Sequence, residues 1–206
     1  LGQEKIDIPD LMKFKYQYLL SLQGKGGGNG SRGKIGIPFG LNMYENLPFW
    51  YTLFTNLNFE VVLSPESTRS LYIKGQQTIP SDTVCYPAKL LHGHVMALLD
   101  EGVDTIFYPC MSYNFDEHLA DNHYNCPVVA YYPDLLAVNI PALSKVKYLH
   151  PNLGIHRPKD FEKKGAKLLA DEFGVPKRES VKAIRKAYEA YHGFRDLVQQ
   201  KGAEYI

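Results

Sequence analysis

Residues 34–64, KIGIPFGLNMYENLPFWYTLFTNLNFEVVLS, contain a strand, a helix and a second strand in succession. The apolar runs at 33–38 and 59–64 have the length of strands, whereas Leu47, Trp50 and Phe54 recur between them at helical spacing. Two strands joined by a helix imply a right-handed parallel crossover. This stretch therefore predicts an α/β fold.

The alternation of helices and strands continues downstream. Further helices are predicted at residues 65–78, with Ser64 before Pro65 at its start, and at residues 87–99. Further strands are predicted at residues 103–109, at 126–133 (CPVVAYYP) and at 145–151 (KVKYLHP). We therefore expect a Rossmann-like three-layer α/β domain with a mainly parallel sheet over residues 33–156.

Both ends of the chain differ from this central domain. Residues 1–32 predict a helix followed by a glycine-rich segment, and so many glycines indicate a flexible linker because ordering them costs backbone entropy. The pattern argues against a phosphate-binding loop there, since GxxxxGK[S/T] must lie between a strand and a helix, whereas these glycines precede the first strand. Residues 157–206 predict two helices, the second with an apolar stripe that packs on the rest of the protein.

Charge and hydropathy limit the classes of partner. The 23 Lys and Arg residues nearly balance the 22 Asp and Glu residues, so the net charge of +1 gives no general attraction to nucleic acid or to an anionic membrane. No run approaches the about 20 apolar residues that span a bilayer, and the chain does not begin with a secretory signal. We expect a cytoplasmic protein that binds neither nucleic acid nor membrane.

Three cysteines mark a candidate site. Cys85 lies at a predicted helix start, Cys110 directly follows the strand at 103–109, and Cys126 begins the predicted strand at 126–133. Ligands of open α/β sheets bind beyond the carboxyl ends of the strands. Three thiolates meeting there near helix N-termini could hold an iron–sulfur cluster or a metal ion with one open position. The alternative is that each cysteine is a small buried apolar residue.

The segment ADNHYNC surrounds the third cysteine with polar groups. Asp121, Asn122, His123 and Asn125 supply a carboxylate, two amides and an imidazole within a few residues of Cys126. Such groups can form hydrogen bonds to a cluster sulfur or hold a substrate. We expect these four residues to surround the site.

The connection at residues 111–125 is long for an α/β fold. Two thiols at predicted strand ends bracket it, so we expect it to form a lid over the crevice at the strand ends. In that arrangement His123 faces the helix start at Cys85.

Histidine chemistry offers one further interpretation. His92 and His94 are two residues apart and cannot share a helical face, which argues against joint metal binding. A cysteine hydrolase would use Cys85 as its nucleophile and His92, His94 or His123 as its base. No protease-like signature surrounds Cys85, and this interpretation does not explain the other two cysteines.

Four motifs together resemble one known family. They are residues 34–64, TIPSDTVCYPAKLLHGHV (78–95), GVDTIFYPC (102–110) and ADNHYNCPVVAYYP (120–133). In this order they are similar to the domain of unknown function 2229 family, over about residues 6 to 205. That domain occurs within large proteins related to the activators of 2-hydroxyacyl-CoA dehydratases.

The resemblance implies an indirect role in ATP-driven electron transfer. The activators are ATPases of the actin-like type that donate a low-potential electron, and their dehydratase partners use three cysteines to hold a [4Fe-4S] cluster. By this resemblance Cys85, Cys110 and Cys126 are the cluster ligands. The partners would be ATPase activase modules, in the same longer polypeptide or in a partner chain, and an acyl-CoA substrate.

This chain departs from the activators in two respects. It has neither their ATPase phosphate motif nor their own cluster cysteines, so we expect no ATP site in it. A second hypothesis remains open, in which a metal-free binding or scaffolding domain docks ATPase modules or an acyl-CoA-type ligand at the strand ends.

Overall fold

A parallel sheet lies at the centre of the protein. The computed structural model describes residues 9–23, 28–118 and 120–206, and within these ranges the sheet has four strands in the order β2-β1-β3-β4. The strands are β1 (Lys34–Ile37), β2 (Glu60–Leu63), β3 (Thr105–Phe107) and β4 (Lys147–Leu149). All three neighbouring pairs are parallel. Because the chain reverses direction across the sheet between β1 and β3, this point is its topological switch point.

Helices cover both faces of the sheet. They are α1 (Leu11–Leu22), α2 (Asn42–Asn56), α3 (Arg69–Gly75), α4 (Tyr86–Asp100), α5 (Pro127–Asn139), α6 (Pro158–Phe173) and α7 (Lys177–Glu204). Helix α7 packs against α1, α2 and α6, whereas α4 packs against α3 and α5. The predicted three-layer α/β fold with additional C-terminal helices is confirmed.

Aromatic side chains of α2, β3 and α6 pack together in the core. Trp50 is completely buried, and its ring centroid lies 4.9 Å from that of Phe49 and 4.8 Å from that of Phe107. Phe161 of α6 makes edge contacts with both Phe49 and Trp50. Edge-to-face pairs of this kind add to the free energy gained from burying the rings.

The predicted strand at residues 126–133 is wrong, because these residues begin helix α5. Pro127 occupies the first helical position, where its missing N–H costs nothing, and Cys126 provides the N-cap. Ala130, Tyr132, Pro133 and Leu136 of this helix are buried. The two valines at 128 and 129 suggested a strand, but tertiary packing outweighs that weak local preference.

Two other element predictions have different outcomes. The strand predicted at 145–151 is present as β4. Helix α3 begins later than predicted, and the side chain of Thr68 rather than that of Ser64 caps it by accepting a hydrogen bond from the Leu71 backbone.

The end of the glycine-rich segment is attached to the C-terminal helix. Residues 24–27, in the middle of the predicted linker, lie outside the described residues. Arg32 donates two hydrogen bonds to Glu179 of α7, at 2.8 and 3.0 Å. Among the helices of the described part of the chain, none combines the length and the apolar composition required to cross a bilayer.

Candidate functional site

Two of the three cysteines cap neighbouring helices. Cys85 is the N-cap of α4 and Cys126 is the N-cap of α5, with nearly identical backbone angles (φ −62°, ψ 150° and 153°). Both thiols belong to exposed residues, and each helix has a proline in its first turn. Both helices precede strands of the parallel sheet, so they begin at its carboxyl edge. Backbone N–H groups at a helix N-terminus stabilise a nearby negative charge, such as that of a metal-bound cysteine.

Cys110 has a different environment. It follows β3, is 2% exposed, and exchanges backbone hydrogen bonds with Pro151 and Leu153 beyond β4. Burial, together with the neighbouring Asp134 carboxylate, raises the pKa of the Cys110 thiol to about 12. In this structure Cys110 is therefore a protonated thiol.

Two buried tyrosines, Tyr108 and Tyr132, have the cysteines as electrostatic neighbours. Burial raises the pKa of the Tyr108 hydroxyl, and Cys110, Tyr132 and Cys126 contribute as neighbours. Burial likewise raises the pKa of Tyr132 to about 12, with Cys85 as its neighbour. Cys110 and Cys126 are thus electrostatic neighbours of the Tyr108 hydroxyl, and Cys85 is a neighbour of the Tyr132 hydroxyl.

The hydroxyl of Tyr108 has no hydrogen-bond partner among the described residues, although the side chain is completely buried. Tyr132, in contrast, is 3.0 Å from Nε2 of His92. Thr78 donates to the Gly75 carbonyl and therefore accepts from Nδ1–H of His92, at 2.7 Å, which leaves Nε2 to accept from Tyr132. Of these two tyrosines, Tyr108 is thus the one whose hydroxyl has no partner among the described residues.

His94 forms a second buried chain of hydrogen bonds. Ser64 accepts from the Phe39 backbone N–H at 2.7 Å, and its hydroxyl also forms a hydrogen bond of 2.7 Å with Nδ1 of His94. The other ring nitrogen forms a hydrogen bond of 2.9 Å with the Ser67 hydroxyl. Burial lowers the pKa of His92 and of His94 to about 4. Both histidines are neutral and link loops at the carboxyl edge of the sheet.

Residues 112–118 and 120–125 form the two sides of a short hairpin. Tyr113 and Tyr124 form an antiparallel bridge, flanked by backbone hydrogen bonds of 2.9 Å from Asn114 to His123 and from Asn125 to Ser112. Phe115 stacks on Tyr191 of α7 at 5.1 Å, which holds the hairpin against that helix.

The four polar residues that were predicted to surround the site at Cys126 lie in different environments. Asn125 donates to the Met111 carbonyl and accepts from Asn114, so it braces the base of the hairpin. His123 pairs with Asp116 of the same hairpin at 3.4 Å, where the sequence predicted that it faces the start of α4. Asp121 and Asn122 are exposed.

A cavity of about 450 Å³ lies at the topological switch point. Residues that follow β1 (Asn42, Glu45 and Asn46) form one wall, and residues that follow β3 (Asn114, Glu117, Asn125 and Val129) form another. Helices α1 and α7 close the remaining side with Lys15, Tyr191, Phe194, Arg195, Val198 and Gln199. Asn125 and Val129 lie on either side of Cys126 in the chain, so the cavity adjoins one of the cysteine-capped helices.

The donor chemistry at the sheet edge suits an iron–sulfur cluster. Two accessible thiols at helix N-termini and a third cysteine on the same edge are the ligands that such clusters use. Across residues 9–23, 28–118 and 120–206, no group of three or more Cys, His, Asp or Glu side chains is arranged to hold a metal ion. At least one of the three thiols must therefore change its position before the cysteines can share one cluster.

Sequence reasoning identified the cysteines but missed Tyr108, Tyr132, Asp134 and Asn42. Tyrosines and asparagines are common, and only burial with or without a partner distinguishes Tyr108, Tyr132 and Asn42 from the rest. The exposed Asp134 is distinguished only by its position beside Cys110. The adjacency of Tyr108 to Cys110 in YPC was the single signal in the sequence.

Comparison with known families agrees with the resemblance found in the motifs. A search for relatives finds no match among curated proteins or solved structures. The model of one family, described as the CoA enzyme activase uncharacterised domain (DUF2229), matches residues 34–206 and so includes the whole sheet and helices α2 to α7. The chain therefore belongs to the DUF2229 family of CoA enzyme activase-related domains.

Proposed function

We propose that this domain is the iron–sulfur, electron-accepting component of an ATP-driven reductase related to the 2-hydroxyacyl-CoA dehydratase systems. Cys85, Cys110 and Cys126 bind a [4Fe-4S] cluster in this proposal. The observation that carries it is the matched pair of cysteines, since Cys85 and Cys126 cap neighbouring helices with the same backbone geometry. The electron donor is an ATPase activase module, and the acceptor is an acyl-CoA-type substrate.

The environment of the matched pair supports this assignment. A structural cysteine is usually buried, whereas both Cys85 and Cys126 are exposed at the carboxyl edge where α/β proteins bind ligands. The positive end of each helix dipole offsets the charge of the thiolate that it caps. Cys126 also accepts a hydrogen bond from the Val129 backbone N–H, at 3.4 Å.

When bound, a [4Fe-4S] cluster supplies one-electron redox chemistry at low potential. The residues of this chain tune and protect that chemistry. The free hydroxyl of Tyr108 is a hydrogen-bond donor for a sulfur atom, and the buried Tyr132–His92–Thr78 chain keeps a second tyrosine fixed and neutral. Hydrogen bonds to cluster sulfurs raise the reduction potential.

Anaerobic reconstitution with iron and sulfide tests the proposal directly. We expect about four irons and four sulfides per chain, a broad absorption near about 400 nm and a paramagnetic signal after one-electron reduction. Cys85→Ser, Cys110→Ser and Cys126→Ser should each lose most of the bound iron.

Two variants serve as controls for this experiment. Asp134→Asn removes the carboxylate beside Cys110 and should leave the iron content at or above that of the unmodified protein. Tyr108→Phe should retain iron but lower the reduction potential, because a donor to sulfur is removed. An iron content that is low in the unmodified protein, or equal in all three serine variants and the unmodified protein, contradicts the proposal.

A further inference from the structure

We infer that the cavity at the topological switch point binds a neutral ligand with a carboxamide-type edge, in which an N–H donor lies beside a carbonyl acceptor. Asn42, at the start of α2, recognises that edge. The inference goes beyond the proposed electron transfer and does not depend on it, since no cysteine lines this cavity.

The first argument is the state of the Asn42 side chain. It is 9% exposed, and neither its Nδ2 nor its Oδ1 has a hydrogen-bond partner among the described residues. A buried amide without partners is costly, and native proteins rarely retain one without a reason. An asparagine side chain offers one donor and one acceptor on the same edge, so a carboxamide satisfies both at once.

The neighbouring asparagine behaves differently, and it lines the same cavity. The side chain of Asn46, one turn further along α2, donates to the backbone carbonyl of Asn42 at 2.9 Å and lies 3.9 Å from the sulfur of Met111. Asn114 and Asn125, on the opposite wall, bond to each other at 2.7 Å. Apart from the exposed Gln199, the other amides that line the cavity form hydrogen bonds within the protein, and Asn42 is the buried amide whose donor and acceptor no described residue uses.

The second argument concerns charge. Two cations and two carboxylates line the cavity, and they are paired across it as Lys15 with Glu45 and Arg195 with Glu117. Their formal charges cancel, and their strongest donors and acceptors are used by each other. An anionic ligand such as a phosphate would have to displace a carboxylate, whereas a neutral ligand leaves both pairs intact.

The third argument concerns shape and hydropathy. The volume of about 450 Å³ falls within the range of small-molecule sites. Val129, Phe194 and Val198 supply an apolar wall. Tyr191 adds an aromatic ring, and its hydroxyl accepts a hydrogen bond from Arg195. The matching ligand is therefore an apolar or aromatic body that carries an amide edge.

Three probes of nearly equal size test this inference on the intact chain. Benzamide presents both a donor and an acceptor, acetophenone presents the acceptor alone, and benzoate presents a charged acceptor. Titrations followed by 1H–15N NMR should show benzamide shifting the Asn42 side-chain NH2 signals. Acetophenone and benzoate should bind at least about fivefold more weakly than benzamide, since each forms one hydrogen bond fewer with Asn42.

Two substitutions on the same helix complete the test. Asn42→Leu should abolish benzamide binding without lowering the melting temperature, because the apolar side chain removes an unsatisfied buried amide. Asn56→Leu, at the opposite end of α2, should leave benzamide binding unchanged. Equal affinities for the three probes, an unmoved Asn42 side-chain signal, or benzamide binding retained in Asn42→Leu would overturn the inference. None of these readouts requires iron, so they are independent of the reconstitution experiment.

Discussion

Single buried side chains determine how this protein responds to pH. His92 and His94 are both 0% exposed, and their ring nitrogens are used by hydroxyl groups at 2.7 to 3.0 Å. Protonation of either ring would place a charge in the core and force one hydroxyl partner to turn away. These residues are therefore structural histidines, and the pH range in which they matter follows from their lowered pKa values.

We expect the free energy of unfolding to fall as the pH falls from about 6.5 to about 4. In that range the unfolded chain binds protons at both histidines while the folded protein, with pKa values of about 4, does not. Each histidine contributes a slope of about 1.4 kcal/mol per pH unit. Urea denaturation at several pH values measures this slope, and His94→Gln should lower it by the contribution of one histidine. His118→Gln, whose side chain is 87% exposed, is the control and should leave the slope unchanged.

The three thiols should differ in reactivity. Cys85 and Cys126 are exposed helix N-caps, whereas burial raises the pKa of Cys110 to about 12. In metal-free protein near neutral pH, a disulfide reagent such as DTNB should modify two thiols rapidly and the third only after unfolding. Cys85→Ser and Cys126→Ser should each lose one rapid equivalent, and Cys110→Ser should lose none. Three rapid equivalents in the folded protein would contradict this assignment.

At the scale of elements, α3 and α4 cross at unusually close range. A Cβ atom on Gly93 of α4 would lie 1.9 Å from the backbone oxygen of Leu71 in α3. Gly193 of α7 has open space where its Cβ would be. Gly93→Ala should therefore destabilise the protein by about 2 kcal/mol or more, because two backbones must separate. Gly193→Ala should stabilise it by about 0.5–1 kcal/mol through helix propensity alone. Equal effects in thermal or urea unfolding would show that the two helices do not cross so closely.

The elements also show where sequence patterns suffice. The 34–64 unit was predictable because its helix carries apolar residues at helical spacing, whereas its strands are short apolar runs on either side of that helix. Helix α5 was not, since its first residues are β-branched and its start depends on Cys126 and Pro127 as an N-terminal pair.

The candidate site was predictable to a similar extent. Chain order and a parallel sheet suffice to place Cys85 and Cys110 at one edge. The position of Cys110 beside Asp134 and the lack of a partner for the Asn42 side chain among the described residues depend on side-chain orientation across the fold, which no local pattern encodes. The orientation of His123 could not be predicted for the same reason. The sequence predicted that it faces the start of α4, whereas it pairs with Asp116 of its own hairpin at 3.4 Å.

At the scale of the whole molecule, the C-terminal helices contribute to the same core as the sheet. The sequence divides the chain into residues 33–156 and 157–206, yet Phe161 of α6 contacts Trp50, and Tyr188 of α7 lies 4.8 Å from Phe49. Tyr188 also donates to the Ile155 carbonyl at 2.9 Å. Removing residues 157–206 would therefore expose one whole face of α2, so the two parts should not unfold separately.

We expect one cooperative unfolding transition for the entire chain. Trp50 is the single tryptophan and reports on the contact between α2 and α6, whereas circular dichroism at 222 nm has a large contribution from the 28 residues of α7. The two signals should have the same midpoint in urea. Phe161→Ala removes ring contacts to Phe49 and Trp50 and should lower both midpoints together, at a cost of about 3–5 kcal/mol with an unchanged m-value. If α7 instead formed an independent unit, the fluorescence midpoint alone would move and the dichroism curve would separate into two steps.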